Sequence, residues 1–345
     1  MRYRAVVLAV AAVLLVIVAW TGQERVIVRR AERDVVLMDT FVRIVIHGGL
    51  SQAALEETIE ATVKEMARLE AILSAHAAGS DVYNLNHAAT EPRLVSEETL
   101  AVLGRARQVY EQSHGAFDVT VGALMRAWGF GTEQRSVPSP DALAEALSGV
   151  GFAHVEVDAS QRSVRLGHPK TQLDLGGVAK GYIVDKAIEF LAARGIEYAF
   201  VEAGGDVRIL GGYPGQFVWE KPRAVRVGVQ HPTQRDALLA VVSSFGGAVL
   251  TSGDYERYFM QDGVRYTHIV DPRTGQTVRG LSSVTIVADE AALADAIATA
   301  VMVLGVEQGI ALIESFPGVE GLLVAEDGSV VMSQGMSAFT KLTDR

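Results

Sequence analysis

The chain contains no cysteine among its 345 residues. This absence excludes disulfide bonds, thiolate metal ligands, cysteine nucleophiles and lipid attachment to a cysteine. Positive charge is in deficit, because 31 Lys and Arg stand against 41 Asp and Glu and give a formal net charge of -10. An acidic chain lacks the broad basic surface needed to bind nucleic-acid phosphates, so no nucleic-acid partner is predicted.

Two motifs of hydrolytic enzymes are also missing. No two histidines stand at helix spacing with a carboxylate between them, so nothing supports zinc-dependent hydrolysis. No G-x-S-x-G sequence is present to form a nucleophile elbow. Composition alone leaves a triad of serine, histidine and aspartate open.

The N-terminus carries an unbroken apolar run over residues 5–20, preceded by Arg2 and Arg4. This arrangement is typical of a signal peptide or of an anchor whose N-terminus stays in the cytoplasm. Because no small-x-small cleavage site is evident, we predict an uncleaved inner-membrane anchor over residues 1–22 and a linker over 23–34. The domain over 35–345 is then expected in the periplasm or otherwise outside the cytoplasm. A cleaved signal peptide is the alternative.

The rest of the sequence alternates helical and hairpin patterns. Apolar residues recur every three or four positions after Ser51, which predicts a long helix, and a second helix is predicted over 97–112. Asp262 and Gly263 separate two alternating strands and predict a tight hairpin, whereas residues 74–86 suggest a polar loop. Hairpins with helices grouped between them predict an α+β fold.

The densest local signal lies in residues 173–188, where Gly176 and Gly177 precede Lys180, Gly181 and an amphipathic helix. Paired glycines permit positive φ and close approach of the backbone to a ligand. A cation and free amides at a helix start are suited to an anion. A purely structural turn between strand and helix is the alternative.

Two further positions permit chemistry. Asp295 and Thr299 lie one turn apart on a helix of small and apolar residues, so the carboxylate must face solvent, pair with a cation or bind a metal. An exposed aspartate with the threonine bonded back to its own helix is the alternative. His268 lies in a predicted strand flanked by polar residues and is suited to act as a general base, or equally as a structural histidine.

Several motifs in order resemble the ApbE family of flavin transferases. They are LDLGG-x-AKGY-x-VD at 173–185, AGGD at 203–206, SGDYERYF at 252–259, THI-x-DP-x-TG at 267–275, D-A-x-A-T-A at 295–300 and G-x-FD-x-T-x-G at 115–122. Taken together they are far more specific than any one of them.

The resemblance implies a T-fold-like arrangement of antiparallel sheets and packed helices, with FAD in a cleft between two subregions. It implies an Mg²⁺-dependent enzyme that splits FAD, releases AMP and attaches FMN by a phosphoester to a threonine or serine of a target protein. The family points to membrane redox subunits as targets. An Mg²⁺-dependent FAD pyrophosphatase and a flavin-binding protein without turnover are the alternatives.

The resemblance also assigns residues. The metal ligands are Asp295, Thr299 and the carbonyl of Ala179, and the catalytic base is His268. The positions implied to contact FAD are Met38, Ser74, His76, Asp118, Thr120, Gly177, Lys180, Asp206, Ser252, Asp254 and His268 itself. The sequence departs from the family pattern at Asp39, where glycine is usual, at His76, where an aromatic residue is usual, and at Glu202.

Overall fold

The computed structural model describes residues 27–132, 134–217, 219–234 and 236–343, so the predicted anchor over 1–22 lies outside the described residues. The described helices are α1 (Gln52–Leu73), α2 (Asp81–Asn86), α3 (Glu97–Gln112), α4 (Gly122–Ala127), α5 (Pro140–Leu147), α6 (Ala179–Ala192) and α7 (Ala291–Glu314). The strands are β1 (Arg29–Leu37), β2 (Thr40–Gly48), β3 (Arg93–Leu94), β4 (Val155–Asp158), β5 (Ser163–Leu166), β6 (Tyr198–Ala203), β7 (Asp206–Leu210), β8 (Val225–Gln230), β9 (Leu238–Ser244), β10 (Gly247–Gly253), β11 (Tyr258–Gln261), β12 (Val264–Thr267), β13 (Leu281–Ala288), β14 (Glu320–Ala325), β15 (Val330–Met332) and β16 (Thr340–Leu342).

An eight-stranded sheet in the order β1-β2-β6-β7-β10-β13-β14-β15 forms the centre of the fold. Every neighbouring pair in it is antiparallel, which confirms the predicted α+β class with antiparallel sheets. All eight residues of β13 are buried. Both faces of this strand are therefore covered, and they bury the hydroxyl residues Ser282, Ser283 and Thr285 together with the apolar ones.

The two faces of the large sheet have different partners. Ala248 and Ile286 belong to the main core, where α7 packs on β10 and β13. Val249 and Val287, one residue further along each strand, belong to a second cluster with Val242 of the small sheet β16-β9-β8. Because successive side chains of a strand point to opposite faces, the fold has a helical layer, a large sheet and a small sheet.

The long helices form where the apolar period predicts them. Ser51 caps α1 by accepting a hydrogen bond from the Ala54 amide at 3.3 Å, and Leu55, Met66 and Leu69 of that helix are buried. The predicted helix over 97–112 is confirmed as α3. Helix α7 contains Gly305 with φ of 76° and ψ of -171°, so its first part ends at the predicted residue.

Helix α7 is, among the described residues, the one helix with the length and apolar composition to cross a membrane, with a hydropathy of 1.9. Half of the residues in that apolar window are buried inside the fold. The first part of the helix, residues 291–302, is buried except at Leu293 and Thr299, so its apolar composition is accounted for by its place in the core.

Two boundaries differ from the sequence predictions. β1 begins at Arg29, inside the segment predicted as a linker, and pairs with β2 along its whole length. The single strand predicted over 35–46 is a hairpin whose turn residues, Met38 and Asp39, have φ of 55° and 56°. Aspartate tolerates this left-handed conformation, so Asp39 takes a backbone geometry for which glycine is the usual choice.

The predicted polar loop over 74–86 is wrong in its second half. Asp81–Asn86 form α2, capped by Ser80, whose hydroxyl accepts a hydrogen bond from the Tyr83 amide at 2.9 Å. The helix buries Val82 and Leu85. A helix of 6 residues is too short to show a helical apolar period, which is why the pattern did not predict it.

A third, smaller cluster surrounds Trp128, which is buried together with Leu124, Phe130 and Val270. The indole Nε1 donates a hydrogen bond to the carbonyl of Gly275 at 2.8 Å. The cluster is built from α4, α5 and the β11–β12 hairpin, so it stands apart from the main core. Aromatic residues close behind a glycine-rich stretch, as Trp128 and Phe130 are in the sequence, are expected to lie in a core, and their burial confirms this.

We expect Gly181→Ala to destabilise the domain although alanine is the better helix former. A Cβ at Gly181 would lie 2.3 Å from the carbonyl oxygen of Ala291, so α6 and α7 would have to move apart. Overpacking of this kind costs about 1–3 kcal/mol.

Gly104→Ala is the matched control, because Gly104 lies inside α3 with no atom within 4 Å of the added Cβ. This control should gain up to about 1 kcal/mol from helix propensity. Urea unfolding of both variants measures the difference, and equal stabilities would contradict the close packing of the two helices.

Candidate active site

Helix α6 begins beside α7 with almost no space between the two backbones. A Cβ at Gly177 would lie 3.2 Å from Oγ1 of Thr299 and 3.1 Å from a ring carbon of Phe117. Neither Gly176 nor Gly177 has a positive φ, so of the two properties that glycine permits, close approach of the backbone is the one used here. Close approach of the backbone to Thr299 accounts for Gly177.

The second glycine pair has a different role from the first. Gly204 and Gly205 have φ of 61° and 94° and form the two-residue turn between β6 and β7. Glu202 stabilises this turn, because its Oε1 accepts a hydrogen bond from the Gly205 amide at 2.9 Å. The departure from the family pattern at Glu202 therefore has a local structural reason.

Asp295 is a buried carboxylate on α7, with 6% of its surface exposed. Its Oδ2 accepts a hydrogen bond of 3.2 Å from the Gly181 amide. Burial raises the pKa of Asp295, opposed by the charge of Lys180. The exposed alternative for Asp295 is wrong, whereas Thr299 does donate from its hydroxyl to the carbonyl oxygen of Asp295 at 3.1 Å.

Asp185 sets the position of α7. Its two carboxylate oxygens accept hydrogen bonds from the amides of Ala291 and Ala292, each at 2.9 Å, at the N-terminus of α7. Arg208 also pairs with Asp185, with its Nε at 2.8 Å. Sequence reasoning gave Asp185 no role, although it ends the VD of the first motif. It acts as a remote cap of the helix that carries Asp295.

Lys180 forms an ion pair with Asp206, which is buried and accepts a further hydrogen bond from the Thr251 amide at 3.1 Å. Burial acts to lower the pKa of Lys180, but the negative charges of Asp206 and Asp295 prevail and raise it. Lys180 is therefore a charged side chain held between two acidic residues.

Glu256 belongs to the same group of charges and was missed by the sequence reasoning. Burial raises the pKa of Glu256 to about 7, Lys180 acts in the opposite direction, and the charges of Asp206 and Asp295 raise it further. Its place inside the SGDYERYF motif was the signal that could have identified it. Three carboxylates thus act on one ammonium group, which makes the site attractive to a further cation.

His268 has a defined tautomer. Its Nδ1 lies 3.1 Å from the carbonyl oxygen of Arg257, whose other hydrogen bond comes from the His268 amide at 2.9 Å. A carbonyl only accepts, so Nδ1 carries the proton and Nε2 keeps a lone pair. Burial, reinforced by the charge of Arg257, lowers the pKa of His268 to about 4. The ring is neutral at pH 7.

Two predicted flavin contacts lie beside these charges. Strand pairing of Val42 with Ala203 brings the Met38 turn to the same end of the sheet as the start of β7, where Asp206 lies. The Met38 amide donates to Oε1 of Glu70 at 2.9 Å. Met38 therefore stands at the same sheet end as the Lys180–Asp206 pair.

Ser74 and His76 lie in the loop after α1. The Ser74 hydroxyl accepts from the amides of His76 and Ala77, each at 3.1 Å, and so shapes the loop. His76 is exposed, and a Cβ on Gly131 would be 3.7 Å from its ring. This places His76 beside the segment that carries Phe130, whose ring packs edge-on to His268 at 6.4 Å.

Asp118 and Thr120, two of the positions implied to contact FAD, form a hydrogen-bonded pair inside the fold. Both are buried, and Oδ1 of Asp118 accepts from the amide and hydroxyl of Thr120 at 2.8 and 2.6 Å. Oδ2 accepts from the Phe152 amide at 3.0 Å, and Thr120 Oγ1 accepts from Gly151 at 2.7 Å. The two side chains of the G-x-FD-x-T-x-G motif therefore hold the loop around Gly151 and Phe152 in place.

Ser252 and Asp254 lie at the end of β10. Ser252 is partly buried opposite Val284 of β13, and Asp254 pairs with Arg265 of the β12 strand at 2.9 Å. Burial raises the pKa of Asp254, opposed by its bond to Arg265. The ion pair connects the β11–β12 hairpin, which leads to His268, with the end of β10 in the large sheet.

The donor set at Asp295 fits a hard cation. Among the described residues no group of three or more His, Asp and Glu side chains is arranged to hold a metal. One carboxylate, the Thr299 hydroxyl and a carbonyl such as that of Ala179, the first residue of α6, suit Mg²⁺, which keeps several waters. The buried carboxylate with a single hydrogen bond and the space left by Gly177 both agree with such a ligand.

Comparison with known proteins extends these observations to most of the chain. The model of the ApbE family matches residues 38–323. A protein of Treponema pallidum named FAD:protein FMN transferase is 36% identical over 329 residues, covering 92% of this chain and 90% of that protein.

Solved structures agree in fold. The ApbE protein of Thermotoga maritima superposes with a TM-score of 0.82 at 37% identity, covering 90% of this chain and 99% of that one. The flavin transferase ApbE from Vibrio cholerae gives 0.78 at 29% identity, with the same coverage of both chains. The motifs, the fold and these relatives lead to one conclusion: the chain belongs to the ApbE family.

Proposed function

We propose that this chain transfers FMN from FAD to a threonine or serine hydroxyl of a target protein through a phosphoester bond and releases AMP. The observation that carries the proposal is the neutral His268 with a free Nε2, held near a buried site with an excess of negative charge. Relatives of similar length named FAD:protein FMN transferase support it.

The reaction needs one nucleophile and one leaving group. The acceptor hydroxyl attacks the phosphorus on the FMN side of the FAD diphosphate, and the bond from that phosphorus to the bridging oxygen breaks, so AMP leaves with the oxygen. Nε2 of His268 takes the proton from the hydroxyl. This role fits a histidine whose Nδ1 proton is fixed on a carbonyl, because the imidazole is then oriented and basic at one nitrogen.

Asp295, Thr299 and the carbonyl of Ala179 are the residues proposed to hold Mg²⁺. When bound, the ion supplies positive charge to the diphosphate oxygens in a displacement reaction. Lys180 is placed by Asp206 to add its own charge to the same region. Asp185 orients α7 and with it Asp295.

The flavin half of FAD is proposed to lie between the main core and the Trp128 cluster. Met38 lies at the end of the large sheet, which belongs to the main core. His76 lies beside the segment of Phe130, which belongs to the Trp128 cluster. Ser74 shapes the loop of His76.

The N-terminal segment 1–22 is proposed to anchor the protein in the inner membrane with the catalytic domain outside the cytoplasm. A membrane redox subunit is the proposed target, since it would carry its acceptor residue near the same membrane. The charge arrangement at Arg2 and Arg4 supports this orientation.

We expect the full chain, incubated with FAD, Mg²⁺ and a target bearing an acceptor threonine, to produce a target with covalently attached flavin. Mass spectrometry should show the mass of FMN on the target, and in-gel fluorescence should show the flavin. Reactions with EDTA, or with FMN in place of FAD, are the controls.

The outcomes separate the alternatives. Release of free FMN in the presence of a competent acceptor would favour FAD pyrophosphatase activity. FAD binding without any product would favour a binding protein.

Asp295→Asn should reduce transfer by roughly 10²-fold or more, because a metal-held charge supplies several kcal/mol to reactions of this kind. The rate measured against Mg²⁺ concentration checks this, since loss of a ligand also raises the concentration needed for half-maximal activity. Asp289→Asn is the matched control, because Asp289 is exposed just before the same helix. Unchanged Mg²⁺ dependence in Asp295→Asn would contradict the assignment.

His268→Ala should slow transfer by about 10²–10⁴-fold, the usual range for loss of a general base, with little change in the Kd for FAD. Because the pKa of His268 is lowered to about 4, wild-type activity should persist below pH 6.5 and fall only as pH approaches 4. Single-turnover rates across this range give the profile. His231→Ala, in an exposed turn, is the control.

The same pKa affects folding in a defined direction. As pH falls, His268 becomes protonated near pH 6.5 in the unfolded chain but only near pH 4 in the folded chain. The free energy of unfolding therefore decreases as pH falls from about 6.5 to about 4. His268→Ala should lose less stability than wild type across that window. An activity loss with a midpoint at pH 6.5 would show instead that the imidazole titrates as an exposed histidine.

A further inference from the structure

A surface at the opposite end of the large sheet has no part in the active site. β2 runs from Thr40, near the Met38 turn, to Gly48, and β7 runs from Asp206 to Leu210 in the same direction. Thr40 and His47 are seven positions apart along the strand, which corresponds to a distance of about 23 Å. The segment after β7 therefore lies at the far end from the Lys180–Asp206 pair.

This far end is where the chain enters the domain. Ile27 bridges to Phe217, and the Val28 amide donates to the carbonyl of Gln216 at 3.1 Å. Phe217 stacks on Trp219 with ring centroids 4.9 Å apart and an interplanar angle of 3°. Trp219 is 67% exposed, and Ile27 is exposed as well. A stacked aromatic pair, half-buried at Phe217 and exposed at Trp219, thus lies directly beside the entry of the chain.

Positive charge surrounds the same place. A cavity of about 530 Å³ is lined by Arg30, Lys221 and Arg223, together with Tyr213 and His47. The guanidinium of Arg223 lies 5.7 Å from the centroid of the Tyr213 ring. Neither Lys221 nor Arg223 forms an ion pair within the described part of the chain, whereas Arg30 pairs with Glu32. In a chain of net charge -10, two cations without an ion pair beside one open cavity form a local exception.

The one acidic side chain lining the cavity is already engaged. Oε2 of Glu220 accepts a hydrogen bond from the Gln216 amide at 2.7 Å, within its own loop. His47 is 6% exposed, and its Nε2 has no hydrogen-bond partner. The lining therefore carries two cations without an ion pair, Lys221 and Arg223, against one carboxylate that is already hydrogen-bonded, and this balance favours an anionic group.

We propose that the entry surface, formed by Ile27, Tyr213, Phe217 and Trp219 with the cations Arg30, Lys221 and Arg223, rests on anionic phospholipid headgroups. The proposal rests on the proposed membrane attachment through residues 1–22. Seven residues join Trp20 to Ile27, so this surface lies within at most about 25 Å of the end of the apolar run.

The residue types match the chemistry of a bilayer surface. Tryptophan and tyrosine are favoured at the level of the headgroups, where an apolar ring with a polar edge is accommodated. Lysine and arginine next to them are attracted to anionic lipid phosphates. No other occupant is as close to the surface, because the chain itself leads from it to the apolar run.

The contact with the bilayer would set the height of the active site above the membrane. With the entry surface on the bilayer, the strand ends that carry Met38 and Asp206 face away from the membrane. The active site then stands about 20 Å or more above the headgroups. An acceptor threonine or serine must lie in a segment of the target that extends this far from the membrane.

The test uses the full chain with Trp20→Phe, reconstituted into phosphatidylcholine vesicles with and without about a third phosphatidylglycerol. Two of the 3 tryptophans remain, and Trp128 is 1% exposed, so quenching by lipids brominated near the headgroup reports on Trp219. We expect emission to fall by at least a third in the anionic vesicles. The loss should disappear in the double variant Trp20→Phe/Trp219→Phe.

Charge reversal separates headgroup binding from simple proximity. Lys221→Glu/Arg223→Glu should reduce the quenching at least twofold, and raised salt should do the same. Arg165→Glu/Lys170→Glu is the matched control, because these cations are paired with Glu156 and Glu145 elsewhere on the surface. Quenching that is the same in neutral vesicles and in the charge-reversed variant overturns the headgroup assignment.

Vesicle flotation and transfer activity in detergent distinguish the possible failures. If the chain floats with the vesicles but Trp219 is not quenched, the entry surface does not contact the bilayer and the proposal is overturned. If the chain does not float, the membrane attachment fails and the surface proposal fails with it. If Trp219 responds only after a target protein is added, a protein partner occupies the surface instead. Transfer in detergent stays informative about the catalytic proposal in each case.

Discussion

The buried carboxylate of Asp295 is the constraint from which most of the site follows. A carboxylate inside a helix that packs in the core is costly unless hydrogen bonds and a cation compensate it. The Gly181 amide supplies one hydrogen bond, and the approach is possible because glycine lets α6 lie against the backbone of α7. Gly177 and Gly181 of the first motif serve this contact with α7, whereas Gly176 is exposed.

The second consequence is that α7 must be held in place at its N-terminus. The helix has no side-chain cap of its own, and Asp185 of α6 provides the cap from a distance. A negative charge is also favoured at a helix N-terminus, where it interacts with the helix dipole. The residues between Leu173 and Asp185 therefore act together: Gly177 and Gly181 set the helix separation, and Asp185 sets the register of the two helices.

The protonation states in the site are set by burial as well as by ion pairing. The negative charges of Asp206, Glu256 and Asp295 keep Lys180 protonated. His268, which follows the β11–β12 hairpin that Glu256 precedes, is kept neutral by burial and by the charge of Arg257. A region that attracts cations thus lies in the same part of the fold as a base that is free of its proton. This separation of roles is what a phosphoryl transfer with a metal-bound substrate requires.

Local patterns in the sequence determined much of this protein. The helices α1 and α3, the Asp262–Gly263 hairpin and the end of the first part of α7 at Gly305 follow from apolar period and turn residues, which act over a few neighbouring positions. The motifs also identified the family and the residues Asp295, Thr299 and His268. Tertiary structure decided the rest: that Gly177 and Gly181 serve helix contact, that Asp118 and Thr120 brace a loop, and that Asp185 and Glu256 belong to the site. These roles depend on contacts between residues far apart in the chain, such as Gly181 with Asp295, which are 114 positions apart, and no local period or spacing encodes such contacts.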